Sequence, residues 1–474
     1  MAKAPTRAEL ERSRQLWAGT AREEALDGMF GAMREAAQEA TGLDVCIAAA
    51  HPGEVGLPLP ALSLRYLFQS TVFPLGKIVQ ITGEEGSCKS SFLYEVFRWH
   101  MVYGGGAAFM ENEDKDSPEL RNSILGWNAR WLRRLEICET RALEDWMDAL
   151  TMFAEISSAQ QDAELGPGRT IPVAFGIDSI MSTAPREELD KIQKEGHSSR
   201  NYALAANLIS AYMKSMPKRL GGYPFTIIGT NHLKPSTDYM GRPVSNVSGG
   251  KSVKFHETYE IEMHRAPGCD IDLLNYGGLR LKLVARKNSL GPSRKQIAAE
   301  LLWWMEEFTD PDTGVVGFRQ QTAWDWDTAS IEMLLSFENA KGKRTIFNRL
   351  MEICDINVAN RGARTAWSRA LGIPEVEPQD FRVLGAALER HPELLEQMYP
   401  TLGITARRPF QPGVDYRVLL DVARTEANAE ATNLYGSVDN MPRLDPETFD
   451  PEGRLAVPPD AAPPVETEGQ DGTQ

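Results

Sequence analysis

The sequence lacks the features of a disulfide-stabilised, zinc-binding or membrane-spanning protein. Its five cysteines are scattered over 474 residues without a CxxC pair, and its seven histidines show no metal-ligand spacing. Reduced thiols are therefore expected. No apolar run approaches the roughly 18–20 residues that cross a bilayer, and the N-terminus has no apolar core of the signal-peptide kind. We expect a cytoplasmic protein with no membrane partner.

An excess of positive charge is also missing. The chain has 51 Lys and Arg against 66 Asp and Glu, a net charge of -15. Nucleic-acid-binding proteins are often basic, so the composition argues mildly against that class. The acidic residues are unevenly distributed, however, because residues 436–474 hold nine acidic and two basic residues. The overall charge therefore leaves room for a local basic groove.

Composition and periodicity divide the chain into four regions. Residues 1–50 show apolar positions at helical spacing and predict an N-terminal helical segment that is a candidate for oligomerisation. Residues 51–306 form a predicted α/β core that begins with a Pro- and Gly-rich linker at 51–60. Residues 307–435 predict a mainly helical C-terminal domain, and the acidic, Pro-rich tail 436–474 predicts disorder.

Short apolar runs in the core are separated by helix-length segments, which predicts βαβ units around a mostly parallel sheet. Three later runs lie closer together and are expected to extend the sheet in mixed fashion. The predicted strands are 77–82, 107–111, 171–178, 225–231, 255–263, 279–285 and 297–303.

The first of these strands leads into a segment that matches a phosphate-binding loop, GxxxxGK[ST], followed by an amphipathic helix. In such a loop, backbone N–H groups cradle phosphates, Lys89 reaches the β- and γ-phosphates, and the Ser90 hydroxyl ligates magnesium. ATP and Mg²⁺ are the predicted cofactors. Cys88 replaces the expected second glycine, and its Cβ restricts the backbone; the alternative is a turn that binds no ligand. The loop residues are Gly83, Glu84, Glu85, Gly86, Ser87, Cys88, Lys89, Ser90 and Ser91.

Carboxylates follow two further predicted strands. Asp178 ends the strand 171–178, where a carboxylate beside a phosphate loop can hold the magnesium shell; the alternative is a helix N-cap. The run 110–116 carries four carboxylates. Most such side chains are simply solvated, but one near the γ-phosphate can orient or deprotonate the attacking water.

These motifs, taken in order, resemble the RecA-type recombinases, especially their bacteriophage, UvsX-like members. The resemblance covers roughly residues 62–304 and implies a RecA-like P-loop ATPase core, in which helices flank a mostly parallel twisted sheet. It implies that Glu113 is the catalytic glutamate acting with Lys89, and that Asp178 is linked to magnesium. His232, in FTIIGTNHLK, falls at the position of the γ-phosphate sensor.

The same resemblance extends to the segment 279–295, LRLKLVARKNSLGPSRK. In the family, two lysines of this segment reach the nucleotide of the neighbouring subunit. At unbroken spacing the first falls on Arg286, and with a shift of one residue it falls on Lys287. The first position keeps its positive charge in either alignment.

Two further segments, 182–201 and 233–250, occupy the places of the family's DNA-binding loops, and GGKSVKF at 249–255 is similar to the motif that closes the second loop. Basic side chains would meet DNA phosphates, and an aromatic or Met side chain would stack on bases or wedge between them. Without the resemblance, two solvated surface loops are the alternative. The candidate DNA-binding residues are Lys191, Lys194, Arg200, Lys234, Tyr239, Met240, Arg242 and Lys251.

The resemblance implies a DNA-dependent ATPase that forms helical filaments on single-stranded DNA and promotes pairing and strand exchange with homologous duplex DNA. If a bacteriophage encodes the chain, it acts in the cytoplasm of the bacterial host. Two alternatives remain open. One is a ring-shaped helicase or motor with the same core fold; the other is a DNA scaffold that binds nucleotide without hydrolysing it.

Overall fold

A computed structural model describes most of the unit Gly53–Ala423. All structural statements below concern the described residues. These are 54–164, 170–195, 202–220, 223–237, 243–247, 251–273, 276–309, 314–342, 344–354, 356, 378–412, 414, 416–420 and 422–423.

The strands are β1 Val55–Pro58, β2 Val72–Pro74, β3 Ile78–Gly83, β4 Gly106–Glu111, β5 Leu135–Glu139, β6 Val173–Asp178, β7 Phe225–Thr237, β8 Pro243–Val247, β9 Tyr259–Leu273, β10 Tyr276–Asn288, β11 Gln296–Thr309, β12 Val316–Asp325 and β13 Arg408–Pro409. The helices are α1 Leu62–Phe68, α2 Lys89–Val102, α3 Pro118–Ile124, α4 Ala129–Leu132, α5 Leu143–Glu164, α6 Arg186–Glu195, α7 Tyr202–Leu220, α8 Lys251–His256, α9 Trp326–Ala340, α10 Thr345–Ile353, α11 Pro378–Arg390 and α12 Pro392–Leu402.

One large sheet organises the unit, with the strand order β12-β11-β10-β9-β3-β7-β6-β4-β5, and β8 pairs with β7. The strands from β9 to β5 in this order are parallel to their neighbours, whereas β10, β11 and β12 are antiparallel. This confirms the expected mostly parallel sheet with a mixed extension. Because the central strands are parallel, the carboxyl ends of β3, β4, β6 and β7 meet at one edge, where such sheets bind ligands.

Apolar side chains fill both faces of the sheet, since neighbouring residues of a strand point to opposite sides. Phe109 joins the core that includes Phe92 of α2, whereas Met110 joins the core that includes Trp146 of α5. Helix α2 lies very close to β6, because a Cβ at Gly176 would come within 2.3 Å of the Phe97 ring. This close contact fixes α2, and with it the loop before it, against the sheet.

The sequence predicted that residues 51–60 are a linker, but part of this segment is a strand. Val55–Pro58 is β1, which pairs with β2 and with β13 in a separate three-stranded sheet. Leu57 is fully buried, and a Cβ at Gly56 would lie 2.2 Å from the Phe73 carbonyl oxygen. The glycine and the terminal Pro58 are therefore compatible with a short strand in close contact with β2.

The sheet continues past residue 306, where the sequence places the end of the core. Strand β11 extends to Thr309 and pairs along its second half with β12. The outer part of β12 exposes Val316 and Phe318, and polar residues interrupt its apolar pattern, which explains why it gave no clear strand signal. Helices α9 to α12 follow, as the helical patterns predicted. The division into functional domains remains a prediction.

The two candidate DNA-binding segments contain regular structure. The first includes α6, which has Glu187 and Glu188 in its first turn and Lys194 in its last, a charge order that favours a helix. The second forms a hairpin of β7 and β8. Across the described residues, no helix combines the length and apolarity needed to cross a bilayer.

Candidate nucleotide site

The phosphate-loop segment joins the buried strand β3 to α2, as the motif predicts. Cys88 lies immediately before α2 with φ 59° and ψ 33°, in the left-handed region. A residue other than glycine adopts this conformation at a cost on the order of 1–2 kcal/mol. The backbone thus follows a path that favours glycine even though a cysteine occupies the position. Cys88 changes the conformational energy of the loop but is accommodated by it.

Gly83 is required for the loop to fold back on itself. A Cβ at this position would lie 2.3 Å from Ser87 Oγ and 2.6 Å from the Met263 carbonyl oxygen. The Ser87 hydroxyl in turn donates a hydrogen bond of 2.8 Å to the Glu84 carbonyl oxygen. Ser87 therefore closes the turn that begins at Gly83, and Glu84 and Glu85 stay exposed at its tip.

Lys89 lies buried at the start of α2. Its Nζ donates to the carbonyl oxygens of Glu84 at 2.8 Å and Gly83 at 3.3 Å. Burial lowers the pKa of Lys89, and the nearby carboxylates of Asp178 and Glu113 oppose that shift. The loop thus holds a cationic side chain against its own backbone, as a site for nucleotide phosphates requires.

Asp178 links three elements at the carboxyl edge of the sheet. Ser90 Oγ donates a hydrogen bond of 2.5 Å to Asp178 Oδ2, and the Thr230 hydroxyl donates to Oδ1. Burial raises the pKa of Asp178, against these two hydrogen bonds. The peptide bond from Asp178 to Ser179 is cis. A hydroxyl and a carboxylate beside a phosphate loop are the oxygen donors that suit Mg²⁺ bound together with nucleotide phosphates, so these residues fit the predicted metal.

Glu113 and His232 form the second carboxylate site. His232 Nε2 lies 2.9 Å from Glu113 Oε1, and Lys115 Nζ lies 3.3 Å from Glu113 Oε2. The hydrogen bond with His232 is the main reason that the pKa of Glu113 falls to about 2, although partial burial opposes the shift. Because Gly83 pairs with His232 across β3 and β7, this pair stands directly beside the phosphate loop.

Glu111 supports Glu113 and was missed as a candidate in the sequence. Its buried carboxylate accepts the backbone N–H groups of Glu113, Asp114 and Lys115 at 3.0, 2.8 and 3.2 Å. These bonds fold the chain after β4 into a tight turn, with Asp114 at φ 53°. In the sequence, Glu111 is one of four carboxylates in a run. Its place as the last residue of a buried strand is the only signal that separates it from the others.

The two candidate cations of β10 have different partners. Ala285 pairs with Ile261 and Lys287 with Glu260, so Arg286 is the extra residue of a β-bulge. Arg286 binds both carboxylate oxygens of Glu262, at 2.6 and 2.5 Å. Lys287 Nζ donates to backbone carbonyl oxygens instead. Which of the two reaches a neighbouring subunit remains a prediction.

The candidate DNA-binding residues are only partly described. Lys191 and Lys194 are exposed on α6, and Lys191 Nζ lies 2.5 Å from Glu187 Oε1. The backbone places Lys234 in β7 and Lys251 at the start of α8. Arg200, Tyr239, Met240 and Arg242 lie outside the described residues. DNA contact by any of the eight remains a prediction.

The fold and the site define an α/β protein with a phosphate loop at the carboxyl edge of its central strand, next to two carboxylates. Comparison with known proteins makes this class more specific. The chain is 25% identical over 312 residues to Protein RecA of Mycobacteroides abscessus, covering 64% of this chain and 80% of that protein. It is 24% identical over 308 residues to Protein RecA of Mycolicibacterium smegmatis, covering 63% and 79%.

A third similarity, to Protein RecA of Mycobacterium marinum, is 24% over 247 residues and covers 52% of this chain and 65% of that protein. No family model matches the chain. The similarities support a distant relationship to RecA-type recombinases, and the fold is a RecA-like core.

Proposed function

We propose that this protein is an ATP-dependent DNA recombinase that forms filaments on single-stranded DNA and exchanges strands with homologous duplex DNA. The observation that carries the proposal is the meeting of Lys89, the Ser90–Asp178 pair and the Glu113–His232 pair at one edge of the sheet. These residues come from four separate chain segments, in the order that the RecA resemblance implies. A generic phosphate-binding turn requires none of Asp178, Glu113 and His232.

Each residue has a defined task in this proposal. Backbone N–H groups after Gly83 and the ammonium of Lys89 bind the phosphates of ATP, while Ser90 and Asp178 hold Mg²⁺, which neutralises phosphate charge. Glu113 orients the attacking water and accepts its proton. With a pKa of about 2, Glu113 is ionised at neutral pH but is a weak base for as long as His232 holds it.

His232 is then the residue that makes hydrolysis depend on the nucleotide. A γ-phosphate competes with Glu113 for the His232 ring, so binding of ATP releases the carboxylate. Since β7 leads from His232 into the hairpin with β8, movement of His232 also shifts the second candidate DNA-binding segment. Nucleotide state and DNA affinity are thereby coupled.

Filament growth follows from a head-to-tail interface that does not close. The proposal includes DNA contacts by the two candidate DNA-binding segments and a subunit-bridging role for Arg286 or Lys287. It also includes a cytoplasmic location. The proposal also includes a relationship to the bacteriophage members of the family, for which Cys88 is the evidence. A ring-shaped motor would give closed hexamers on DNA in electron micrographs, whereas the proposal requires open helical filaments.

The test is the rate of ATP hydrolysis with and without single-stranded DNA. The full-length chain should show DNA-stimulated hydrolysis that requires Mg²⁺, and Glu113→Gln should remove the stimulated rate while nucleotide still binds. Lys89→Ala should weaken nucleotide binding itself. A rate that does not change on addition of DNA would contradict the proposal. An ATPase signal that neither Glu113→Gln nor Lys89→Ala changes would not come from this site and would favour the non-hydrolysing scaffold.

A further inference from the structure

Two glutamates that the proposed site does not use are buried just after the end of α8. Glu257 is 2% exposed and Glu260 is 1% exposed. Among the described residues, neither carboxylate oxygen of Glu257 has a hydrogen-bond partner. One oxygen of Glu260 lies 3.1 Å from Lys254 Nζ, and the other accepts a long bond of 3.5 Å from the Thr82 hydroxyl. Buried acids with so few partners are costly and call for an explanation.

Lys287 is bound at the same place. Its Nζ donates to the Glu257 carbonyl oxygen at 2.7 Å and to the Lys254 carbonyl oxygen. Lys287 and Glu260 are paired residues of β10 and β9, so these two side chains belong to neighbouring positions in the sheet, and Glu257 lies between α8 and β9. Lys254 lies in α8, which follows the second candidate DNA-binding segment.

We propose that the buried Glu257–Glu260 pair positions Lys287, holding its ammonium against the end of α8 and joining the second candidate DNA-binding segment to β10. The negative charge of Glu260 attracts the ammonium, and the two carbonyl oxygens give it direction. This places Glu257 and Glu260 as positioning residues. The tie between Lys287 and a neighbouring nucleotide rests on the proposed function; the holding of Lys287 within the chain does not.

The proton on Glu257 adjusts the strength of this hold. Burial, followed by the charge of Glu260, raises the pKa of Glu257 to about 8, and Lys287 and Lys254 oppose the shift. These are the charged groups that act on it from β9, β10 and α8. Glu257 is therefore neutral near pH 7. Above pH 8 it ionises and attracts Lys287 more strongly, so Lys287 becomes less available to a second subunit.

The hold is tested without any enzymatic assay by labelling lysines of the full chain with an amine-reactive reagent at pH 7 and measuring each site by mass spectrometry. Lys282, exposed on the same strand, is the internal reference. Lys287 should react several-fold more slowly than Lys282. Glu260→Gln should raise the labelling rate of Lys287 toward that of Lys282. Glu300→Gln, which removes an acidic residue of β11 that pairs with Arg280, should not change it.

Glu257→Gln is the second variant, because glutamine resembles the neutral carboxyl group in size and the fold should be retained. In the wild type, DNA-stimulated ATP hydrolysis should fall as the pH rises through about 8; in Glu257→Gln this fall should be absent. If the wild type is stimulated by DNA and both variants match it in Lys287 labelling and in pH profile, the positioning role is overturned. If no DNA stimulation occurs at any pH, the proposed function fails, while the labelling result still decides the hold on Lys287.

Discussion

Glu113 Oε1 and His232 Nε2 are 2.9 Å apart although Glu113 follows β4 and His232 lies in β7, and these two strands are not neighbours. Strand β6 lies between β4 and β7, so the hydrogen bond passes over the end of β6, where Asp178 binds Ser90. The candidate base, the candidate sensor and the candidate metal ligand therefore lie close together at one edge of the sheet. A change at any of the three should alter the other two.

The pH dependence of hydrolysis should reveal the hydrogen bond of Glu113. In His232→Ala the carboxylate loses the partner that chiefly lowers its pKa, which should rise from about 2 toward the ordinary value of 4.5. The acidic limb of the kcat/KM profile, which reports the nucleotide-free protein, should move to higher pH with it. His232→Gln retains a donor and should move the limb less. An identical acidic limb in His232→Ala and wild type would contradict this assignment.

The stability of the fold at low pH should also depend on the lowered pKa of Glu113. The pKa of Glu113 is lower in the folded chain than its ordinary value of 4.5, so its contribution to stability is fully present above pH 4.5. It is lost as the pH falls toward 2. The difference in unfolding free energy between wild type and Glu113→Gln should shrink over that range in denaturant titrations. Lys115→Ala, which removes an exposed partner of Glu113, should change the unfolding free energy little over the same pH range.

Cys88→Gly should stabilise the chain. The residue has φ 59°, which costs a residue with a Cβ about 1–2 kcal/mol, while glycine loses about 0.5–1 kcal/mol more backbone entropy on folding. The expected net gain in unfolding free energy is about 0.5–1 kcal/mol, measured by chemical denaturation. Cys88→Ala keeps the Cβ and serves as the control. A glycine variant that is less stable than the alanine variant by about 0.5–1 kcal/mol, the entropy difference alone, would show that the backbone of the loop is unstrained.

Glu111→Ala should impair both stability and catalysis. Three backbone N–H groups at a partly exposed turn lose their acceptor, and each such hydrogen bond contributes about 0.5–1.5 kcal/mol. Because the turn carries Glu113, kcat should fall by about 10²-fold, as expected when a reacting group is misplaced, with a smaller change in KM for ATP. Glu136→Gln, exposed on β5, is the control. A stable, fully active Glu111→Ala would exclude the supporting role.

The sequence was most informative where chemistry depends on local order. The loop Gly83–Ser91, the strand end at Asp178 and the position of His232 in β7 were predicted because each motif lies in one short segment that contains or follows a buried strand. Glu111 was not found, because its importance comes from backbone N–H groups that it meets only after the turn forms. Strand β1 was mistaken for a linker for a similar reason, since its partners lie at Val72–Pro74 and at Arg408–Pro409.

The bulge at Arg286 has a consequence for how this segment changes in evolution. Beyond the bulge, Val284 to Gly277 keep an uninterrupted register with β11, so loss of one residue at 286 would leave that pairing in place. Only the cation that faces Glu262 would disappear, while Lys287 would stay opposite Glu260. A single-codon insertion or deletion can therefore add or remove a positive charge without rebuilding the sheet. Homologues that differ in length here can share the same fold while differing in the charge that this strand carries.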